Sequence, residues 1–160
     1  MLATCDGTQA AVRIALTCTI PSVSFTQSPF SISWGSSILA TVTAVNNIGS
    51  SVVSVAGNGA TILRIPDAPL SVANVPAITL ASQIGLTWSP GASNGGTPVL
   101  DYKISIAVGA GSYSTLETGI TTTSYIALDL TAGQTYTFEI QARNIFGYSV
   151  TSVPVTILAA

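Results

Sequence analysis

Leu130-Thr-Ala-Gly133-Gln-Thr-Tyr136-Thr-Phe138-Glu-Ile140-Gln-Ala142-Arg-Asn144-Ile-Phe-Gly147 is the stretch that decides the fold. Tyr136, Phe138, Ile140 and Ala142 alternate with Thr137, Glu139, Gln141 and Arg143, a two-residue period that sets an apolar face against a polar one along a strand. Thr131-Ala-Gly133 ahead of it reads as a turn, and Gly147 behind it opens a last strand running from Val150 to Leu158. The same wording stands earlier in the chain. Ile32-Ser-Trp-Gly35-Ser-Ser-Ile38 leads into Val42, Ala44, Asn46, Gly49, Ser51 and Ser54, each 98 positions before Ile140, Ala142, Asn144, Gly147, Ser149 and Ser152. A repeat of about 100 residues fits tandem β-sandwiches, since solenoids and propeller blades repeat over shorter periods.

Strands of the same kind fill the interval between the copies. Ile84, Leu86 and Trp88 alternate with Gly85 and Thr87. A turn-rich loop, Pro90-Gly-Ala-Ser-Asn94-Gly95-Gly96-Thr-Pro98, precedes a strand in which Tyr102, Ile104, Ile106 and Val108 alternate with Lys103, Ser105 and Ala107. Residues 112–118 read as an edge strand, and Tyr125 to Leu130 as a further strand. With the strand that opens the domain, seven are expected there and no helix, an all-β sandwich. Pro66-Asp67-Ala68-Pro69 reads as a proline-punctuated hinge. It divides the chain into residues 1–66 and residues 67–160. Ala10 to Leu16 is expected as one strand of the first part.

These residues carry a resemblance to a known family. Trp88 in the second strand, Pro98 before Tyr102 in the third, and Leu130-x-x-Gly133-x-x-Tyr136 leading to Ala142-x-Asn144-x-x-Gly147 resemble a fibronectin type III domain over residues 67–160. The resemblance implies an immunoglobulin-like sandwich in which Trp88 and Tyr102 are central core residues. It further implies that Tyr136 is the tyrosine corner, its hydroxyl bonded to the backbone near Leu130. The first copy matches the pattern only from about Ser24 onward, and Ile38 stands where the corner tyrosine belongs. Residues 1–66 therefore read as an incomplete domain of the same type, lacking strands A, B and, by the same count, C. More loosely, the wording and composition resemble the tandem repeats of large extracellular surface proteins of protists.

Composition excludes whole classes of function. Of 160 residues, four are basic and six acidic, and there is no histidine. A net charge of −2 offers no electrostatic footprint for nucleic acid or an anionic membrane. No apolar run approaches the roughly 18 residues that span a bilayer. Without histidine there is no Ser-His or Cys-His nucleophile, and the acidic residues form neither a close catalytic pair nor a calcium loop, so no enzyme, cofactor or metal is expected. Glu139 and Arg143, with Lys103 on the neighbouring strand, read as a solvent-side cross-strand ion pair. Cys5 and Cys18, the only cysteines, read either as one disulfide in an oxidising compartment or as two free buried thiols. Met1-Leu-Ala-Thr-Cys5 lacks the composition of a signal peptide, so a secreted protein would carry its signal upstream and this chain would be a fragment or a processed product.

Serine and threonine make up about a quarter of the chain, which gives a neutral, hydroxyl-rich surface without any Asn-X-Ser/Thr acceptor. Such a surface suits permanent packing against copies of itself, or O-linked glycans. Trp34, Phe146 and Tyr148 are the candidate interface residues: Trp34 either caps the half-domain or meets another chain, and the Phe146–Tyr148 pair either packs on the hinge or contacts a ligand. The expected role is a structural subunit of an extracellular filament or cell-surface coat, joined head-to-tail, with a strand from a neighbour completing the first domain. An adhesion or ligand-binding module of a large surface protein is the alternative. An accessory domain of a secreted polysaccharide-degrading enzyme is the third.

Overall fold

A computed structural model describes residues 5–57 and 59–160. The readings of Met1 to Thr4 and of Asn58 fall outside the described residues. The chain divides into two compact units, Met1–Ile62 and Leu63–Ala160.

Unit 2 is a two-sheet sandwich. To keep one numbering along the chain, α1 (Ala10–Ala15), α2 (Val23–Thr26), β1 (Ser37–Ile38) and β2 (Ala60–Thr61) belong to unit 1. Unit 2 holds β3 (Leu70–Asn74), β4 (Ile84–Ser89), β5 (Asp101–Val108), β6 (Ser114–Ile120), β7 (Ser124–Ala127), β8 (Thr135–Asn144), β9 (Gly147–Tyr148) and β10 (Val155–Leu158). One sheet runs β3-β4-β7; the other runs β10-β8-β5-β6, with β9 also pairing on β8. Every pairing within these sheets is antiparallel.

Alternation in the sequence becomes burial. In β8 every second residue, Tyr136, Phe138, Ile140, Ala142 and Asn144, is buried while those between are half-buried. Ile84, Leu86 and Trp88 of β4 and Tyr102 and Ile104 of β5 complete the same core. The Trp88 and Tyr102 rings meet edge-on, centroids 5.4 Å apart and planes at 71°. That geometry places a positive ring edge on a negative ring face.

Three readings are corrected. The last strand is not continuous from Val150, because only Val155–Leu158 pairs regularly and residues 149–154 follow a different course described below. The edge strand lies at Ser114–Ile120, not 112–118, because the β5–β6 turn runs on past Gly111, whose N–H bonds to the Val108 carbonyl. The strand from Tyr125 stops at Ala127, since Asp129 takes a left-handed conformation (φ 58°) and Leu130 turns to bond the Ser82 carbonyl. The entry to the proline stretch is tied down by backbone bonds. Arg64 and Asp67 N–H donate to the Gly95 and Ser93 carbonyls, and an Arg64–Asp67 ion pair of 2.8 Å lies beside them. A Cβ on Gly95 (φ 77°) would collide with the Arg64 carbonyl oxygen, so glycine is required there twice over.

In unit 1, Ala10 to Leu16 is not a strand but a short helix, α1, ended by Leu16 in the left-handed conformation (φ 54°). The alanines favour helix, among the described residues no strand lies alongside to supply ladder bonds, and the Arg13 guanidinium folds back onto the Gly7 and Thr8 carbonyls. Cys5 and Cys18 are joined in a disulfide that closes this loop, their Cα atoms 5.5 Å apart. α1 buries none of its residues. Phe25 and Phe30 meet edge-on at 5.7 Å, and β1 pairs with β2 around the ends of a long hairpin.

Closing a loop of this length constrains the unfolded chain by about 3 kcal/mol, but only within unit 1. Mild reduction is therefore expected to abolish the short helix while leaving the thermal midpoint of unit 2 unchanged. Near-ultraviolet circular dichroism of the Trp88–Tyr102 pair during melting, with and without reductant, checks this; a fall of several degrees on reduction contradicts it.

Candidate interaction site

The repeated sequence is a repeated structure, a hairpin closed by serine side chains. In unit 2, Ser149 N–H donates to the Ala142 carbonyl and its Oγ accepts from Ala142 N–H, at 2.7 and 3.0 Å. Ser152 does the same with Ile140, at 2.9 and 3.0 Å. Val155 then pairs with Phe138. Three residues on the outgoing chain thus match two on β8, twice in succession, a repeated bulge. The contraction carries the outgoing carbonyls out of register, and a hydroxyl on every third residue takes their place. Having accepted, the Ser149 hydroxyl donates to the Val150 carbonyl at 2.7 Å.

Unit 1 repeats this bond for bond. Ser51 pairs with Ala44 at 2.8 and 3.0 Å, Ser54 pairs with Val42 at 2.9 and 2.9 Å, and Gly57 N–H reaches the Ala40 carbonyl at 2.8 Å. The Ser51 hydroxyl donates onward to the Val52 carbonyl at 2.8 Å. The two copies differ in what lies over them. Ile140 is 0 % exposed and Val42 69 %.

Asn144 ties this hairpin to the rest of its sandwich. Its Oδ1 accepts from Phe146 N–H at 2.8 Å, shaping the turn, while its Nδ2 donates to the Arg64 and Asn94 carbonyls at 2.8 and 2.9 Å. One buried amide thus holds the entering chain, the β4–β5 loop and the β8–β9 turn together. Asn46 shapes its own turn alike, accepting from Ile48 and Gly49 N–H at 2.9 and 3.1 Å, and its Nδ2 makes no hydrogen bond among the described residues.

The other singled-out residues fall as follows. The Tyr136 hydroxyl accepts from Thr131 N–H at 2.8 Å across the turn at Gly133 (φ 77°), and Leu130 packs against the core. Phe146 and Tyr148 part company. Phe146 is 61 % exposed at the hairpin tip beside exposed Ile145, whereas Tyr148 lies on the outer sheet face with Lys103 Nζ 4.7 Å and the Arg143 guanidinium carbon 5.4 Å from its ring centre. Trp34 is partly buried in unit 1. The expected grouping of Glu139, Arg143 and Lys103 is corrected too: Arg143 forms a two-pronged ion pair with Asp101, directly opposite in the β5–β8 register, and Lys103 sits over Tyr148. The shorter Asp101 arm, lying across from Arg143, wins over Glu139 four residues along the same strand.

Among the described residues no cluster of three or more acidic, cysteine or histidine side chains is placed to hold a metal, and no helix is long and apolar enough to cross a membrane. The hairpin's chemistry is that of hydrogen bonding and apolar contact.

The sequence profile of the fibronectin type III domain matches residues 67–157. This chain belongs to the fibronectin type III family. Solved structures agree in fold. Domains A168–A170 from titin align with a TM-score of 0.60 at 22 % identity, over 80 % of this chain and 42 % of that one. The twitchin kinase region from C. elegans aligns at 0.55 and 28 % identity, over 60 % of this chain and 17 % of that one. A solution structure of the fourth FNIII domain of a human protein aligns at 0.56 and 20 %, over 62 % of this chain and 83 % of that one. No curated protein sequence matches significantly. The chain spans less than half of the titin and twitchin chains, and the kinase belongs to the latter protein, not to the shared fold. The fibronectin type III fold is a structural and binding module.

Two outcomes follow from the site. Ser149→Ala or Ser152→Ala removes the acceptor of a buried N–H and is expected to cost unit 2 about 1–3 kcal/mol. Ser51→Ala or Ser54→Ala, where water replaces the hydroxyl, is expected to cost under about 0.5 kcal/mol; urea unfolding compares them, and equal costs would refute the difference in covering. Burial holds the Tyr102 hydroxyl above its ordinary pKa, as it does Tyr113 and Tyr125, with Glu139 and Glu117 adding to the latter two. A phenol whose folded pKa is raised gives stability that is complete below the unfolded value of about 10 and lost as pH rises through the folded value. With no histidine to titrate, the midpoint of unit 2 is expected to stay level from about pH 6 to 9 and fall above about 10, less steeply in Tyr102→Phe. A midpoint that drops between pH 6 and 8 contradicts this.

Proposed function

We propose that this chain is a non-catalytic structural module of an extracellular filament or cell-surface coat, in which fibronectin type III sandwiches follow one another and bury each other's open faces. The observation that carries this reading is the pair of hairpins built from identical bonds, one covered and one bare. A face with Ala40, Val42 and Ala44 exposed, where Phe138, Ile140 and Ala142 of the second copy are buried, suits a surface that is covered in the assembled protein. Two features support a coat in particular. The surface carries almost no charge to hold neighbours apart, so packing among like chains meets little repulsion. The Cys5–Cys18 disulfide favours an oxidising compartment.

Adhesion is the second reading, favoured by Ile145 and Phe146. Both are exposed at the β8–β9 tip, and Asn144 locks that tip to the β4–β5 loop. A rigid exposed apolar tip suits contact with another protein.

Antibody against residues 67–160, applied to intact and then to permeabilised cells, tests the coat. Continuous or fibrous labelling of intact cells is the expected result, and labelling only after permeabilisation would overturn it.

A further inference from the structure

Six positions of the hairpin are buried in unit 2 and exposed in unit 1: Phe138 against Ala40, Ile140 against Val42, Ala142 against Ala44, Asn144 against Asn46, Ser149 against Ser51, and Ser152 against Ser54. Because the two copies share their internal bonds, the covering of one states what the other lacks. In unit 2 most of it comes from β3, β4 and β5, which hold residues 70–108, with Ala127 and Tyr125 of β7 added beside β4. β5 pairs along the β8 edge, putting Tyr102 opposite Ala142 and Ile104 opposite Ile140, and Ile84, Leu86 and Trp88 of β4 close the core.

We infer that the bare face of unit 1 is a docking surface for one kind of partner, a polypeptide segment carrying the opening half of a fibronectin type III sandwich, strands of the β3-β4-β5 type. This inference rests on the reading of unit 1 as an assembly element.

Three features beyond exposed apolar surface specify that occupant. The first is an open edge. The amides of Thr41, Thr43 and Val45 occupy the places of Glu139, Gln141 and Arg143, which lie opposite Ser105, Lys103 and Asp101 of β5. Those three N–H groups make no hydrogen bond among the described residues, and they keep the regular spacing that an added strand requires. The second is Asn46. Its counterpart gives both amide protons to carbonyls of an entering chain and of a β4–β5 loop, and such a segment brings both acceptors. The third is charge. Val45 stands where Arg143 pairs with Asp101, so the occupant needs no carboxylate at the first position of its β5-type strand.

A second copy of this chain does not meet the specification. Its only β3-β4-β5 set is engaged in its own unit 2, with Asp101 held by Arg143. Lending that set to a neighbour bares one face of β8 for each face it covers.

The test uses the full chain, isotopically labelled, with amide exchange followed by nuclear magnetic resonance. The probe is a synthetic polypeptide with the sequence of residues 67–108 carrying Asp101→Val. Exchange at Thr41, Thr43 and Val45 is expected to slow by about tenfold or more as the probe saturates, with the Asn46 side-chain amide signals shifting and the unit 2 spectrum unchanged. The effect is expected to vanish with a probe carrying Leu86→Asp, and in a chain carrying Val42→Asp, a substitution at an exposed site that leaves the hairpin bonds intact. No slowing at these three amides overturns the inference. So does slowing that rises with the concentration of the chain alone, which assigns the face to a second copy, and so does slowing that survives Val42→Asp. Cell-surface labelling reports location and is blind to this binding, so either idea can fail while the other stands.

Discussion

A strand that advances three residues for every two of its neighbour cannot satisfy that neighbour with carbonyls alone. Ser149 and Ser152 resolve this by lending hydroxyls to the Ala142 and Ile140 amides, and Ser51 and Ser54 do so for Ala44 and Val42. In unit 2 these amides lie in the dry interior, where an unmade hydrogen bond is costly, so the serines are as much core residues as Phe138. The remaining order builds outward from the hairpin: β8 fixes the register of β5, Asn144 fixes the entering chain, and the β4 side chains pack on the face that results.

The bond-for-bond identity of the two hairpins also shows how little of this geometry depends on burial. Unit 1 retains every serine contact while Val42 and its neighbours face solvent. The hairpin is specified locally, and the sandwich is a covering laid over it. The units differ on the outer face as well as in their covering. Unit 2 carries the Asp101–Arg143 pair and the Lys103–Tyr148–Arg143 stack, whereas the first copy has Val45 and Ser50 where Arg143 and Tyr148 stand. Asp101 is buried where it meets Arg143, whereas the contacts over the Tyr148 ring lie on the half-exposed outer face.

Much of this was legible in the sequence, and the failures have physical causes. Periods of two along β4, β5 and β8 announced the sandwich, because alternation maps directly onto two sheet faces. The 98-residue echo announced a second copy. The outgoing strand was misread from Val150 onward, because a three-residue advance has no alternation to detect. Its signal was present as Ser149-x-x-Ser152 and Ser51-x-x-Ser54, serines spaced as no regular strand would space them. Ala10 to Leu16 was misread because six apolar residues fit either period, and only the lack of a partner strand decides. The partners of Asn144 and Asp101 were illegible for another reason: they lie 80 and 42 residues away, and no local pattern carries such a contact, although the repeat and the motif had both picked out Asn144.

The contracted strand has a further consequence, for direction. The unit 1 hairpin has two flanks. On the side of Thr41, Thr43 and Val45 the backbone keeps an even two-residue rhythm that another strand can match. On the side of residues 50–57 the rhythm is broken at every third residue, and the serine hydroxyls are spent on the hairpin itself and on Val52 and Val55. A straight strand approaching there finds its complementary groups out of step. Strand addition is therefore permitted on one flank and refused on the other, which gives the hairpin a direction without a single charged residue in it to enforce that direction.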